Sequence, residues 1–263
     1  NDPRAEHVIV NTSVNADFSQ GNRYALPRHA ARSGKADPVA SREDGGVCVG
    51  DPQGCAGTIR YPNGDVYTGE WRASRAAGYG RVARPDSSSY EGQWAGDAAH
   101  GEGTETFPDG SWYRGRYSHG SKSGFGMFHW VSGPQFCGQF EDNVFHGEGS
   151  YYWGDGRVYT GQWVRNEFSG HGRMSWPDGQ VYDGQYVAGR KEGEGTFIWT
   201  NGRRFTGKWL DGKQHGIGVF YTESGQPRLG EWSSGHRVRW LDAERAPAPA
   251  AEAEAEAGAG ARL

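Results

Sequence analysis

Tyr159-Thr160-Gly161-Gln162-Trp163, then Gly170-His171-Gly172, then Trp176-Pro177-Asp178-Gly179 decide the fold of this chain. Steps of 23 residues from Tyr159 land on Phe136, Tyr113, Tyr90 and Tyr67 in one direction and on Tyr182 and Phe205 in the other. The same step from Gly161 lands on Gly138, Gly115, Gly92, Gly69, Gly184, Gly207 and Gly230. A fixed period of this size, unbroken by insertions, marks an array of stacked repeats.

Within one period, two runs alternate with period 2, which predicts strands. Tyr159, Gly161 and Trp163 point one way, and Thr160 and Gln162 the other. In the second run Gly170, Gly172, Met174 and Trp176 are expected on one face, with His171, Arg173 and Ser175 opposite. A polar loop of about six residues joins the runs, and a Pro-Asp-Gly or Asn-Gly turn leads to the next unit. One unit is therefore an antiparallel hairpin, and the array is a meander. The glycines lie across from the rings, where they let a ring cover bare backbone.

Equivalent positions show what the period protects. The column through Trp176 reads Tyr61, Arg84, Phe107, Trp130, Trp153, Trp176, Trp199 and Thr222. Two residues earlier it reads Ile59, Val82, Glu105, Phe128, Tyr151, Met174, Phe197 and Phe220. The column through Gln162 is polar throughout. The expected fold is all-β: a twisted single-layer antiparallel meander of about eight hairpin repeats, sixteen strands at ~4.8 Å spacing. A single layer leaves part of its apolar face open, and a contiguous open apolar patch points to a partner. Phe107, Trp130, Trp153, Trp176, Trp199, Trp163 and Trp209 are the expected interaction face. Arg84 and Glu105 break the aromatic pattern.

Composition agrees. The 263 residues are only 35% hydrophobic, yet they include 44 glycines and 11 tryptophans, which suits rings over glycines and not an aliphatic core. The formal net charge of −4 gives no basic field for nucleic acid. No apolar run reaches the ~18–20 residues of a membrane-spanning helix. The chain opens on Asn1, so no compartment is read from its N-terminus.

Three segments follow: an extended arm over residues 1–43, the array over 44–241 with degenerate first and last units, and an Ala/Glu/Gly-rich tail over 242–263. Cys48 and Cys55 flank the loop of the first unit, where the ends of a hairpin could bring them to disulfide distance. Cys137 is read as a lone thiol.

Tyr-x-Gly-x-Trp, Gly-x-Gly and Asp-Gly at a period of 23 resemble the MORN (membrane occupation and recognition nexus) repeat, over roughly residues 44–241. The resemblance implies an interaction module and no activity of its own; where similar arrays occur in enzymes, a separate domain carries the chemistry. The flanks here leave no room for such a domain, so a non-enzyme is expected. His100, His146 and His215 recur at one repeat position, two or three units apart, too far along a ribbon to form a metal or catalytic site. Gly-x-Gly carries Glu and precedes a strand, unlike a phosphate loop, so no cofactor is expected. The cations Arg72, Arg75, Lys122, Arg165, Arg190, Lys191 and Lys213 read as loop residues alternating with acids. The leading expectation is a scaffold or accessory subunit holding other protein subunits in a larger assembly. The alternative is a peripheral module tethered to anionic lipid.

Overall fold

The computed structural model describes residues 54–241. The arm, the tail, Cys48 and the first half of the first unit lie outside the described residues.

The strands are β1 (Cys55–Arg60), β2 (Val66–Arg72), β3 (Arg75–Ala83), β4 (Ser89–Ala95), β5 (Ala98–Thr106), β6 (Trp112–Ser118), β7 (Ser121–His129), β8 (Gln135–Glu141) and β9 (Val144–Tyr152). They continue as β10 (Val158–Val164), β11 (Glu167–Ser175), β12 (Val181–Val187), β13 (Arg190–Ile198), β14 (Arg204–Leu210), β15 (Lys213–Tyr221), β16 (Pro227–Ser233) and β17 (His236–Trp240). All 17 form one antiparallel sheet in which each strand pairs with its chain neighbours, as β10 does with β9 and β11. The count exceeds the expected sixteen because the second half of the first unit and both strands of the fading last unit pair as well.

The expected six-residue loop is shorter in the structure. β10 runs to Val164 and β11 begins at Glu167, leaving a two-residue turn at Arg165 (φ 50°) and Asn166 (φ 70°). Two consecutive residues with positive φ make a type I′ turn, whose twist matches the flanking strands. The tips are also stitched sideways: Asn166 Oδ1 accepts from Phe145 N at 2.7 Å, and Asn166 N donates to Phe145 O at 3.0 Å.

At the other edge, Gly179 N donates to Trp176 O and Trp176 N to Gln180 O, both at 3.0 Å, with Gly179 at φ 88°. Ser87 holds the same turn at φ 70°. An L-residue there costs about 1 kcal/mol relative to glycine, which the rest of the turn absorbs.

Register explains a second departure. Gly161 pairs with Gly172, but Trp163 pairs with Phe168, so β11 carries two extra residues. At this bulge Gly170 (φ 66°) turns toward the Gln162 side chain on the polar face, away from the face expected for it. Gly172 faces the rings as expected. A Cβ on Gly172 would lie 2.6 Å from Tyr159 Cε2 and displace that buried ring, and one on Gly161 would lie 2.5 Å from Gly172 Cα and displace the backbone.

Tyr159 is completely buried, and its hydroxyl donates to Gln162 O at 2.9 Å. The same bond recurs from Tyr67, Tyr90, Tyr113 and Tyr182. Each ring thus fills the space above a glycine while its polar end satisfies a strand carbonyl. On the polar face, Gln162 Oε1 accepts from His171 N at 3.0 Å, and short hydroxyl pairs such as Thr196–Thr206 bridge neighbouring strands.

Candidate functional site

The apolar face is built in rows that run across the strands. Trp163 and Trp209 were expected on an exposed face, but they are only 3% and 6% exposed. Their indole N–H groups donate to Gly149 O and Gly195 O, both at 3.0 Å, and their rings pack edge-on against Tyr159 and Phe205. Both belong to the core. Strand parity puts them on the right face, but the row at the turn edge lies further out.

That outer row is Phe107, Trp130, Trp153, Trp176 and Trp199, all half-buried. The rings run on through the inner row: Phe107 to Phe128 (5.2 Å), Phe128 to Trp130 (4.4 Å), Trp130 to Tyr151 (5.5 Å) and Tyr151 to Trp153 (4.6 Å). The series resumes from Trp176 through Phe197 and Trp199 to Phe220. Met174, between Trp153 and Trp176, interrupts it. Arg84 takes an outer-row position and pairs with Asp65 at 3.7 Å. Among the described residues no second layer covers this face, because all of them lie in the one sheet and its turns.

One row was missed in the sequence. Just inside the hairpin tips lie Ala76, Ala99, Lys122, Phe145, Phe168, Lys191 and Gln214, one per repeat. Phe145 stacks on Phe136 at 3.8 Å and Phe168 on Tyr159 at 3.9 Å, so in the middle units a second ring roofs the first. Lys122 and Lys191, expected as loop cations, occupy the same position on β7 and β13 and face the rings. They were misread because the tip is two residues long, which draws the supposed loop into the strand. The column itself, with alanine and phenylalanine recurring at the repeat spacing, was the available signal.

The two lysines are held differently. Lys122, 5% exposed, sits 2.6 Å from Glu105 Oε2, and Tyr117 donates its hydroxyl to the same oxygen at 2.8 Å. Glu105, 1% exposed, is therefore a core carboxylate. Lys191 Nζ lies 4.6 Å from the Phe197 ring centroid, 4.9 Å from Tyr182, 5.1 Å from Trp209 and 5.4 Å from Trp176. It forms no ion pair among the described residues, and desolvation lowers its pKa to about 8.

His100, His146 and His215 fall on three separate hairpins, and no cluster with metal-binding composition occurs among the described residues. Cys55 packs partly buried opposite Trp71, while its proposed partner Cys48 lies outside the described residues. Cys137 is free and exposed, paired with Met127 on the polar face.

Among solved structures, the TCP domain of SAS-4 from Drosophila melanogaster, in complex with a proline-rich motif of Ana2, is similar at 12% identity, with 70% of this chain and 99% of that chain covered and a TM-score of 0.38. The TCP10 domain of CPAP from Danio rerio, in complex with a STIL peptide, is similar at 14% identity, 65% and 81% coverage and a TM-score of 0.27. No curated protein matches the sequence. The MORN-repeat profile matches seven times in succession, at residues 67–89, 90–112, 113–135, 136–156, 159–181, 182–203 and 205–226. Its units are the hairpins described above, and the chain belongs to the MORN-repeat family.

Proposed function

We propose that this chain is a non-catalytic scaffold or accessory subunit that uses its aromatic face to hold other proteins in a larger assembly. The observation that supports this best is the outer row from Phe107 to Trp199, half-buried with no described layer over it. An open aromatic face of this length loses apolar surface to water only when a partner lies on it. Trp and Tyr rings held rigid by core contacts lose little side-chain entropy on binding, which makes them effective anchors.

The test is crosslinking mass spectrometry in native extract, comparing the wild-type chain with a Trp153→Ala/Trp176→Ala variant whose fold is checked by circular dichroism. Partner crosslinks should map along the outer row and fall at least several-fold in the variant. Crosslinks confined to the polar face, or unchanged in the variant, would remove the aromatic face as the docking surface. Co-sedimentation with anionic vesicles without any protein partner would favour membrane tethering instead.

A further inference from the structure

Lys122 and Lys191 stand three repeats apart at the same place in the unit, and so do Tyr117 and Tyr186. Each tyrosine pairs directly across the sheet with its lysine, Tyr117 with Lys122 and Tyr186 with Lys191. The position that holds Glu105 in the first rung holds Met174 in the second. In the first rung one carboxylate oxygen takes both the ammonium and the hydroxyl. In the second, the Tyr186 hydroxyl is buried with no hydrogen-bond partner, and Lys191 has rings around it but no counter-ion among the described residues. Burial holds the Tyr186 phenol well above its usual pKa, so it stays a neutral donor. A buried donor left unpaired is costly, and the Tyr186 hydroxyl is one, on the residue directly across the sheet from Lys191. The molecule thus carries both a completed site and a copy lacking its anion.

We propose that Lys191 and Tyr186 form a seat for one carboxylate, supplied by an acidic side chain of a protein partner lying along the aromatic face. This deepens the docking reading above and rests on it. Lys191 as a residue is half-buried on the uncovered face, which leaves it open to a partner; Met174, buried, unbranched and flexible, takes the position of Glu105 and must turn aside for a carboxylate to reach Tyr186. The neighbouring acids are not positioned to serve: Glu192 accepts from Asp211 N, and Glu194 is exposed on the polar face. Further along the same end of the ribbon, Arg228 and Arg237 lie 4.1 and 4.3 Å from the Trp240 ring, adding positive charge that favours an acidic partner.

A random dodecapeptide library displayed on phage, selected on the full chain, tests this. Enriched peptides should carry a Glu or Asp whose replacement by Gln or Asn weakens binding at least tenfold. On Lys191→Met that penalty should vanish, and on Met174→Glu, which supplies the carboxylate internally, it should vanish again. A penalty that persists in both variants, or peptides enriched with no acidic requirement, would overturn the seat while leaving the docking face standing. Failure to enrich any peptide whose binding depends on Trp153 and Trp176 would remove both. Acidic peptides that bind at least tenfold tighter to the full chain carrying Glu252→Gln, Glu254→Gln and Glu256→Gln would show that the chain's own tail fills the seat, which overturns the assignment to a partner.

Discussion

Two rungs of the array, built around Lys122 and around Lys191, answer the problem of a cation among aromatic rings in different ways. The Lys122 rung brings its own anion: Glu105 replaces the apolar residue of the inner row, and Tyr117 turns to bond it. The Lys191 rung keeps the apolar Met174 and surrounds the ammonium with four ring faces within 4.6–5.4 Å. Between them, the same row position holds Phe145 and Phe168, which carry no charge and stack ring on ring. The difference teaches that the repeat sets backbone and glycine positions strictly but leaves the row beneath the hairpin tip free to vary, so that row can carry what distinguishes one unit from another.

The largest expected effect comes from making the first rung a copy of the second. Glu105→Met leaves Lys122 buried and unpaired, and breaking a buried ion pair by removing one partner typically costs about 3–5 kcal/mol. Three rings remain near Lys122, at 5.2, 5.2 and 5.8 Å, so part of the loss is recovered by cation–π attraction. Denaturant unfolding of Glu105→Met against wild type should show a loss of about 3 kcal/mol. A loss below about 1 kcal/mol would mean that the rings alone hold Lys122, and the two rungs would then be energetically alike.

The paired tyrosines sharpen the comparison. Tyr117→Phe removes a hydrogen bond to a buried carboxylate and should cost about 1.5–3 kcal/mol. Tyr186→Phe removes a buried hydroxyl that bonds to nothing among the described residues, so the isolated chain should be unchanged or slightly more stable. Equal losses in the two variants would show that Tyr186 has a partner after all. With an acidic peptide bound, the Tyr186→Phe variant should lose affinity it did not lose in stability.

The fold was legible because the repeat samples each position seven or eight times, so a substitution such as Ser87 or Arg84 cannot obscure a column. Strand faces, glycine roles and the Asp-Gly turns follow from parity and from the steric limits of positive φ. Two things did not. The length of the hairpin tip was hidden because polar tip residues and the polar face of the adjoining strands look alike in composition. The bulge that turns Gly170 toward Gln162 depends on register, which parity within one strand does not define. These two misreadings together concealed the lysine row. The outer tryptophans of the candidate docking face were legible, but the burial of Trp163 and Trp209 follows from how neighbouring rows overlap, which one strand's pattern does not contain.

The smallest effect is the pH dependence that separates the two lysines. Desolvation holds Lys191 at about 8, below the ordinary lysine value of 10.5. Above pH 8 the folded chain therefore releases this proton while the unfolded chain keeps it, up to pH 10.5. The unfolded state binds more protons across that window, so stability rises with pH, at up to about 1.4 kcal/mol per unit. Below pH 8 both states hold the proton and the contribution is flat, at its least favourable value. The buried tyrosines oppose this from pH 10 upward: burial raises the pKa of Tyr159 and Tyr182, so the folded chain keeps phenol protons that the unfolded chain sheds, and stability then falls. The clean interval is pH 8 to about 9.5, where urea midpoints of the wild type should rise relative to those of Lys191→Met. In Met174→Glu the new carboxylate stabilises the ammonium as Glu105 does for Lys122, raises the pKa of Lys191 toward its ordinary value and should flatten the slope. If wild type and Lys191→Met show the same slope over that interval, the ring cage holds a fully solvated amine, and the contrast between the two rungs is one of geometry without a difference in electrostatics.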